Sequence, residues 1–286
     1  MKGILLAGGI GSRLWPSTQA ISKHLIPIYD KPMIFYPLSV LMLAEIREVV
    51  IVSTPEHKNL FESLFGTGRH LGMEISHVVQ PEPKGIADAI LCVKEFIGEN
   101  SFCLILGDNI FYGPNFREKL LLAKNRQYGA TIFGYHVKDP KQFGVIDFGD
   151  DGNPQSIVEK PAYPKSNVAV TGLYFFDNKA VEFASNCEPS IRGELEINSV
   201  ISNYIENQTL TTEILGRGFA WLDTGTPSAM LEAAQFIETL ERLQGYKIAC
   251  IEEIAFNNSW IGLSEIKNLT SERSSNYSSY LTSLIS

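Results

Sequence analysis

The chain has 286 residues, long enough for one large domain or two small ones. Hydrophobic residues make up 44% and charged residues 20%, proportions typical of a globular protein, so disorder, collagen and coiled coil are excluded. The 32 acidic and 24 basic side chains give a formal net charge of −8, which disfavours general nucleic-acid binding. An anionic small molecule would need a local cluster of cations.

The spacing of the cysteines and the length of the apolar runs indicate the cellular compartment of the protein. The cysteines are Cys92, Cys103, Cys187 and Cys250, with no C-x-x-C pair among them. This spacing favours buried thiols in a reducing compartment over a zinc site or a disulfide framework. The apolar stretch after Lys2 soon meets glycines, unlike a signal peptide, and no run reaches the ~18 apolar residues of a membrane span. We therefore expect a cytoplasmic protein that binds no membrane.

The first part of the chain alternates short apolar runs with helical patterns. Strands are predicted for KGILLAGG, VVIVS at 49–53, SHVVQ at 76–80, FCLILGD at 102–108 and ATIFGY at 130–135. In GIADAILCVKEFI the apolar residues recur at helical spacing, which predicts one helix (Ile86, Ala89, Ile90, Val93, Ile97). Strands that are apolar throughout and alternate with helices predict a parallel sheet covered on both faces, hence a doubly wound α/β unit.

After Pro140 the pattern indicates antiparallel structure. FGVIDFGDDGNPQSIVEKP predicts a hairpin around an acidic, Gly-rich turn, and AVTGLYFF at 169–176 predicts a further strand. TPSAMLEAAQFIETLERLQG predicts a helix capped by Thr226, with an apolar stripe of Met230, Ala234, Ile237 and Leu240. We expect one α/β domain over 1–245, with a Rossmann-like mixed sheet flanked by helices. Its halves would cover about 1–135 and 136–245, and 246–286 would form a helical C-terminal extension.

The loop after the first strand combines glycines with a cation. It contains Gly8, Gly9, Gly11, Ser12 and Arg13. Glycines let backbone N–H groups approach an anion closely, and the planar guanidinium of Arg13 suits a polyphosphate. Leu14 stands where a dinucleotide fingerprint needs a third small residue, and the Gly-Lys-Ser/Thr of a P-loop is missing. The pattern favours either a phosphate cradle, with Lys23 as a second cation, or a tight strand-to-helix turn.

Two consecutive motifs, GGxGxRLxP and K-x-L-x-P-x-x-x-K-P, resemble those of the sugar-1-phosphate nucleotidylyltransferases. With LGDNIF, EKP, RGELEI and WLDTGTP, the chain is similar from Met1 to about Trp260 to the thymidylyltransferases that use glucose-1-phosphate. The resemblance implies transfer of dTMP from dTTP to glucose-1-phosphate, with loss of pyrophosphate, as the first step of dTDP-deoxysugar (rhamnose-type) biosynthesis. It also implies Mg²⁺, a homotetramer, and feedback inhibition by a dTDP-sugar away from the catalytic site.

The implied reaction demands charge neutralisation. A phosphate monoester is already anionic at pH 7, so its attacking oxygen needs no general base, and the site must instead align two polyanions. Two unit charges 4 Å apart repel by roughly 4 kcal/mol at an effective dielectric constant of 20. By resemblance, Arg13 holds the departing pyrophosphate and Lys23 reaches the phosphates near the reacting centre.

Two carboxylates are expected to hold Mg²⁺. Asp108 follows the apolar run FCLIL, at the carboxyl end of a strand, where ligands bind in open α/β sheets. Mg²⁺ commonly takes one or two carboxylates together with phosphate oxygens. The resemblance makes Asp223 in AWLDTGTP the second carboxylate; without it, an Asp before Thr-Gly fits a turn or helix cap equally well.

The resemblance also implies which residues bind the base and which bind the sugar phosphate. Gln80 would read the pairing edge of thymine, and Gly85 would let the base lie against the backbone. Glu159 would bind glucose hydroxyls and Lys160 the sugar phosphate. The further sugar-phosphate residues implied are Gly144, Gly172, Tyr174, Arg192 and Trp221.

Some positions depart from the family's usual residues. They are Trp15, His24, Asp88, Phe143, Asn198 and Ser199. Asp88 adds a negative charge near the base site, which leaves the base selectivity open. Because one methyl group decides only ~1–3 kcal/mol, a UTP-using or dual-specificity enzyme is an alternative. A second alternative is a non-catalytic regulator that binds a nucleotide sugar, but the carboxylates at 108 and 223 argue against it. An NAD-dependent dehydrogenase fits poorly because the glycine loop lacks the third small residue of a dinucleotide fingerprint.

Overall fold

The computed structural model describes residues 1–271 and 274–285, so Glu272, Arg273 and Ser286 of the expected C-terminal extension lie outside the described residues. The strands are β1 Lys2–Ala7, β2 Pro27–Ile28, β3 Lys31–Pro32, β4 Glu48–Ser53, β5 Glu74–Val79, β6 Phe102–Leu106, β7 Asn109–Tyr112, β8 Ala130–His136, β9 Gly144–Phe148, β10 Pro154–Glu159, β11 Val168–Phe176, β12 Leu210–Leu215 and β13 Ala220–Asp223. The α-helices are α1 Phe35–Leu43, α2 Lys58–Phe65, α3 Ile86–Cys92, α4 Lys94–Ile97, α5 Phe116–Lys124, α6 Lys179–Ser185, α7 Ile197–Glu206, α8 Pro227–Gln244, α9 Ile251–Asn257, α10 Leu263–Thr270 and α11 Asn276–Ser283.

The main sheet has the strand order β10-β9-β11-β6-β1-β4-β5, while β8 pairs with β11 and β12 pairs with β8. Strands β1, β4, β5 and β6 pair in parallel. The direction changes at β11, which lies antiparallel to β6, and β9 and β10 form the predicted hairpin. The expected α/β fold with a mixed sheet is confirmed.

Helices cover both faces of this sheet because its central strands are apolar on both sides. Along β1, Leu5 belongs to one buried cluster with α1 and α9, whereas Ile4 belongs to another with α3 and α7. β6 alternates in the same way between Cys103 and Leu104. An apolar layer therefore packs on each face of the sheet.

The predicted helix over 86–97 is interrupted. Val93 has φ −112° and ψ 15°, outside helical geometry, and separates α3 from α4. Its side chain is still buried, as are those of Ile90 and Ile97, so the apolar spacing persists across the break. The apolar periodicity alone did not reveal this break in the helix.

Helix α8 begins as predicted and buries Ile237 of the predicted stripe, with Met230 and Ala234 partly buried against the same apolar cluster. The Thr226 hydroxyl accepts a hydrogen bond from the Ala229 N–H at 3.3 Å, and Pro227 occupies the first turn. The buried residues are Ala233, Ile237 and Glu241, whereas Leu240 is only half-buried. Glu241 is accommodated because Lys31 and Lys247 pair with its carboxylate.

The Lys31 Nζ atom lies 3.1 Å from one carboxylate oxygen of Glu241, and the Lys247 Nζ atom lies 2.6 Å from the other.

The last helices pack beside α1 and α9. The Tyr277 hydroxyl donates to Glu252 at 2.6 Å, and the Tyr280 hydroxyl donates to Glu253 at 2.8 Å. These bonds dock α11 onto α9.

The cysteines are free thiols, with Cys103 and Cys250 buried and Cys92 and Cys187 half-buried. Burial raises the pKa of Cys250 to about 12, so this thiol stays protonated at neutral pH. Across residues 1–271 and 274–285, no helix has the length and apolar character needed to cross a membrane.

Candidate active site

A cavity of about 440 Å³ opens at the carboxyl ends of the central strands, between the two halves of the chain. The sequence-predicted residues that line it are Gly8, Gly9, Arg13, Lys23, Gln80, Gly85, Asp108, Gly144, Glu159, Lys160, Gly172, Tyr174, Arg192, Trp221 and Asp223. Gly11 and Ser12 do not line it. Gly11 has φ 63°, and a Cβ there would lie 2.9 Å from Thr18 Cγ2, so this glycine shapes the turn.

Asp108 and Lys23 form an ion pair at the floor of the cavity. Lys23 Nζ donates to Asp108 Oδ2, and Asn109 Nδ2 donates to Oδ1 at 3.1 Å. Burial alone would raise the pKa of Asp108, but the Lys23 ammonium and these hydrogen bonds outweigh it and lower the pKa to about 2. Asp108 is therefore a carboxylate at neutral pH.

Asp223 is brought beside Asp108 by a small antiparallel pair of strands. β13 pairs with β7 so that Asp223 lies opposite Asn109. The next residue, Thr224, donates to the Asp108 carbonyl oxygen from its N–H at 3.0 Å and from its hydroxyl at 2.7 Å. Burial and the negative charge of Asp108 raise the pKa of Asp223, although Lys23 and Arg13 oppose the shift. Two carboxylates and two cations thus lie together in one cavity.

Arg13 reaches this carboxylate pair from the glycine loop. A Cβ on Gly225 would lie 2.6 Å from Arg13 Nη2 and 3.1 Å from Asp223 Oδ1, so the guanidinium occupies space that a larger residue would fill. The Arg13 side chain is exposed to the cavity. Its donors are therefore available to an anion that enters the cavity.

At one end of the cavity, Gln80 follows β5 as predicted. Its Nε2 donates to the Gly85 carbonyl at 3.0 Å and to Asp88 Oδ2 at 2.7 Å. Gly85 has φ +101°, and a Cβ there would lie 2.9 Å from the Leu195 nitrogen. A side chain at position 85 would therefore collide with the Leu195 backbone. That backbone is held close because the Leu195 N–H donates to the Lys84 carbonyl at 2.7 Å.

Another part of the cavity wall is rich in paired charges. Glu159 Oε2 accepts a hydrogen bond from Asn198 Nδ2 at 3.0 Å, and Lys160 Nζ lies 3.7 Å from Glu159 Oε1. Arg192 donates to Glu196 at 2.7 Å and lies 3.7 Å from Glu159. Lys160 and Arg192 are both exposed. Arg192 is thus held by carboxylates at the rim, a partnership that the sequence did not indicate.

The family model described as nucleotidyl transferase matches residues 2–239. The chain belongs to this family. The glucose-1-phosphate thymidylyltransferase of Neisseria gonorrhoeae is 51% identical over 286 residues, covering 100% of this chain and 99% of that protein. The protein of the same name from Mycobacterium tuberculosis is 46% identical, again over 286 residues, 100% of this chain and 99% of its own.

Solved structures share the fold of this nucleotidyl transferase. A Bacillus anthracis structure described as a glucose-1-phosphate thymidylyltransferase, in complex with a sucrose, superposes with a TM-score of 0.77 at 36% identity. That match covers 82% of this chain and 94% of the other. A UDP-glucose pyrophosphorylase complexed with UDP-glucose gives a TM-score of 0.74 at 23% identity over 83% of this chain and 98% of its own, which shows the shared fold alone.

Asn109 is a residue of the nucleotidyl transferase site that the sequence reasoning missed. Its Oδ1 accepts hydrogen bonds from the Gly172 N–H at 3.0 Å and from Trp221 Nε1 at 2.6 Å, while its Nδ2 donates to Asp108. The side chain is buried. One amide thus connects three expected site residues from separate parts of the chain. The sequence did offer one sign of this role, because Asn109 is a polar residue between Asp108 and the apolar run that follows.

His24 is the departure that lies deepest in the cavity wall. Its Nδ1 is 3.1 Å from Ser22 Oγ, and a Cβ on Gly107 would lie 2.6 Å from its Cδ2. Burial first, and then the charge of Lys23, lower the pKa of His24 to about 3. The imidazole is therefore neutral at pH 7 and acts as a packed wall of the site, without adding to its positive charge.

Proposed function

We propose that this nucleotidyl transferase is a glucose-1-phosphate thymidylyltransferase, which transfers dTMP from dTTP to glucose-1-phosphate and releases pyrophosphate. The observation that carries the proposal is the cluster of Arg13, Lys23, Asp108 and Asp223 in one cavity. The full-length relatives bearing that name support the choice of substrates. The first step of a dTDP-deoxysugar pathway is the corresponding cellular role.

The two carboxylates fit a magnesium ion. Among the residues that the structure describes, no group of three or more His, Cys, Asp or Glu side chains could hold a metal. Asp108 and Asp223 offer hard oxygen ligands, and Mg²⁺ characteristically combines one or two carboxylates with water and substrate phosphates. When bound, the ion would supply neutralisation of phosphate charge. A metal with an all-protein cage fits this donor set poorly.

The chain's own cations perform the rest of the electrostatic work. The oxygen of glucose-1-phosphate that attacks the α-phosphorus is already anionic, so none of the cavity residues has to remove a proton from it. Arg13 binds the departing pyrophosphate, and Lys23 shares its charge between Asp108 and the phosphates at the reacting centre. The ion pair with Asp108 holds Lys23 in place before the substrates arrive, which reduces the reorganisation required.

The sugar end completes the alignment. Lys160 binds the phosphate of glucose-1-phosphate, Arg192 adds a second phosphate contact, and Glu159 accepts hydrogen bonds from sugar hydroxyls. A Cβ on Gly144 would lie 3.3 Å from Glu159 Oε2, so the glycine leaves this carboxylate open to the sugar. Trp221, held by Asn109, closes the floor together with Gly172 and Tyr174.

Pyrophosphate release tests the proposal. Purified protein is incubated with glucose-1-phosphate, Mg²⁺ and either dTTP or UTP, with EDTA added to a parallel sample. We expect EDTA-sensitive release that is faster with dTTP. Equal rates with both nucleotides would indicate the dual-specificity alternative. No release by a folded sample that still binds dTTP would contradict the proposal and favour a nucleotide-sugar-binding regulator.

We also propose the homotetramer and the feedback inhibition by a dTDP-sugar that the family resemblance implies. Sedimentation at micromolar concentration tests the assembly, and a monomer there would contradict it. Addition of dTDP-rhamnose to the pyrophosphate assay tests the inhibition, and an unchanged rate at saturating inhibitor would contradict it.

A further inference from the structure

The orientation of the Gln80 amide is set by two acceptors. A primary amide has two N–H donors and one carbonyl acceptor, so its two ends offer opposite hydrogen bonds to a ligand. Both Nε2 donors are engaged, one with the Gly85 carbonyl at 3.0 Å and the other with Asp88 Oδ2 at 2.7 Å. A backbone carbonyl and an ionised carboxylate can only accept hydrogen bonds. A flipped amide would place an oxygen against both of them, so it is excluded.

The amide oxygen consequently faces the cavity. A Cβ on Gly8 would lie 3.5 Å from Gln80 Oε1, and both residues line the cavity wall. This end of the site thus presents a hydrogen-bond acceptor. The absence of a side chain at Gly8 leaves that acceptor accessible to a ligand.

We propose that Asp88 is a positioning residue that fixes the Gln80 amide with its oxygen toward the base, and thereby selects bases that donate a hydrogen bond from N3. The inference rests on the proposed function, in which Gln80 contacts the base. Thymine and uracil carry N3–H and can donate to Oε1. Cytosine presents a lone pair at N3, which would oppose the lone pairs of Oε1. Asp88 therefore contributes to specificity without touching the nucleotide.

The carboxylate at position 88 has the properties that this role requires. It lies in the first turn of α3, where Cys92 Sγ, one turn later, also approaches Oδ2 at 3.8 Å. A charged acceptor makes a stronger hydrogen bond than a neutral one, so it holds the amide more firmly than a neutral side chain would. A negative charge near a triphosphate binding site weakens nucleotide binding in general. If Asp88 positions Gln80, its replacement should change the selectivity between bases. If only its charge matters, the replacement should change kcat/KM for every nucleotide by the same factor.

Asp88→Asn is the near-isosteric test. An asparagine can offer Gln80 either an oxygen or an N–H group, so the amide can turn. The values of kcat/KM are measured with glucose-1-phosphate and dUTP, dCTP or dTTP. dUTP and dCTP differ only at the pairing edge, and we expect their ratio to fall about fivefold to tenfold, mostly through KM. The dTTP to dUTP ratio should not change, because both bases carry N3–H.

Glu82→Gln is the matched control. It also removes one negative charge from this end of the site, but Glu82 pairs with Lys84 at 3.0 Å. The control should leave the dUTP to dCTP ratio unchanged. If Asp88→Asn likewise changes kcat/KM for every nucleotide by the same factor, the charge effect explains Asp88 and the positioning role is wrong.

A second variant keeps the test decisive if Asp88→Asn folds poorly. Gln80→Ala removes the amide itself and should produce the same loss of discrimination; wild-type discrimination in this variant would overturn the inference. Dissociation constants for dUTP and dCTP, measured by calorimetry on the same proteins, separate the two proposals. Absence of turnover in the wild type contradicts the proposed function, whereas equal wild-type affinity for dUTP and dCTP contradicts the role of Asp88.

Discussion

Replacing Asn109 by alanine is expected to destabilise the protein, because two buried donors lose their acceptor. Asn109 Oδ1 accepts from the Gly172 N–H and from Trp221 Nε1, at 3.0 and 2.6 Å. Each buried donor left unsatisfied costs about 1–3 kcal/mol, so Asn109→Ala should lower the free energy of unfolding by about 2–6 kcal/mol. Urea unfolding curves with comparable slopes give this difference from the midpoints.

A double-mutant cycle identifies the lost hydrogen bond as the cause. Trp221→Phe removes the indole N–H but keeps an aromatic ring beside Phe143, whose centroid is 5.1 Å from that of Trp221. In the Asn109→Ala background this N–H is already unsatisfied, so the second substitution should cost about 1–2 kcal/mol less than it does alone. Thr171→Val is the control, since the buried Thr171 hydroxyl has no hydrogen-bond partner among the described residues and its loss should not destabilise. Strictly additive costs of Asn109→Ala and Trp221→Phe would refute the reasoning.

Three further predictions concern pH, the sugar phosphate and the C-terminal helices. Because folding lowers the pKa of His24 from 6.5 to about 3, the unfolded chain binds a proton below pH 6.5 that the folded one does not. Stability should therefore fall by about 2 kcal/mol more between pH 7 and pH 5 than in His24→Gln, and identical pH profiles in urea unfolding would contradict this. Lys160→Ala should raise KM for glucose-1-phosphate at least about tenfold with a smaller effect on kcat, and an unchanged KM would rule out the assigned contact. Tyr277→Phe, which loses the hydroxyl bound to Glu252, should lower the free energy of unfolding by about 2 kcal/mol, and an unchanged urea midpoint would show that this bond does not dock α11.

The sequence predicted the parts of the fold and site that depend on local pattern. The apolar runs located β1, β4, β5 and β6, and a parallel sheet brings the carboxyl ends of such strands to one edge. Asp108 was therefore expected at the edge of the sheet where ligands bind. The points where apolar runs end predicted which side chains lie at this edge.

Contacts between distant segments could not be predicted in the same way. Glu241 is buried on α8 because Lys31, 210 residues earlier, pairs with it, and helical periodicity alone favoured Leu240. The role of Asn109 depends on Gly172 and Trp221, which only the folded chain brings to it. These interactions involve polar groups that are stable in the interior because their partners are there.

The central claim is that Asp108 and Asp223 together support metal-dependent nucleotidyl transfer in this cavity. The most direct test is the rate of pyrophosphate release from dTTP and glucose-1-phosphate by the double variant Asp108→Asn, Asp223→Asn. The control is Asp150→Asn, Asp151→Asn, which removes the same charge from the exposed turn of the β9–β10 hairpin. We predict a fall of about a thousandfold or more in the site variant and a near-normal rate in the control. Near-normal release by the site variant would contradict the claim.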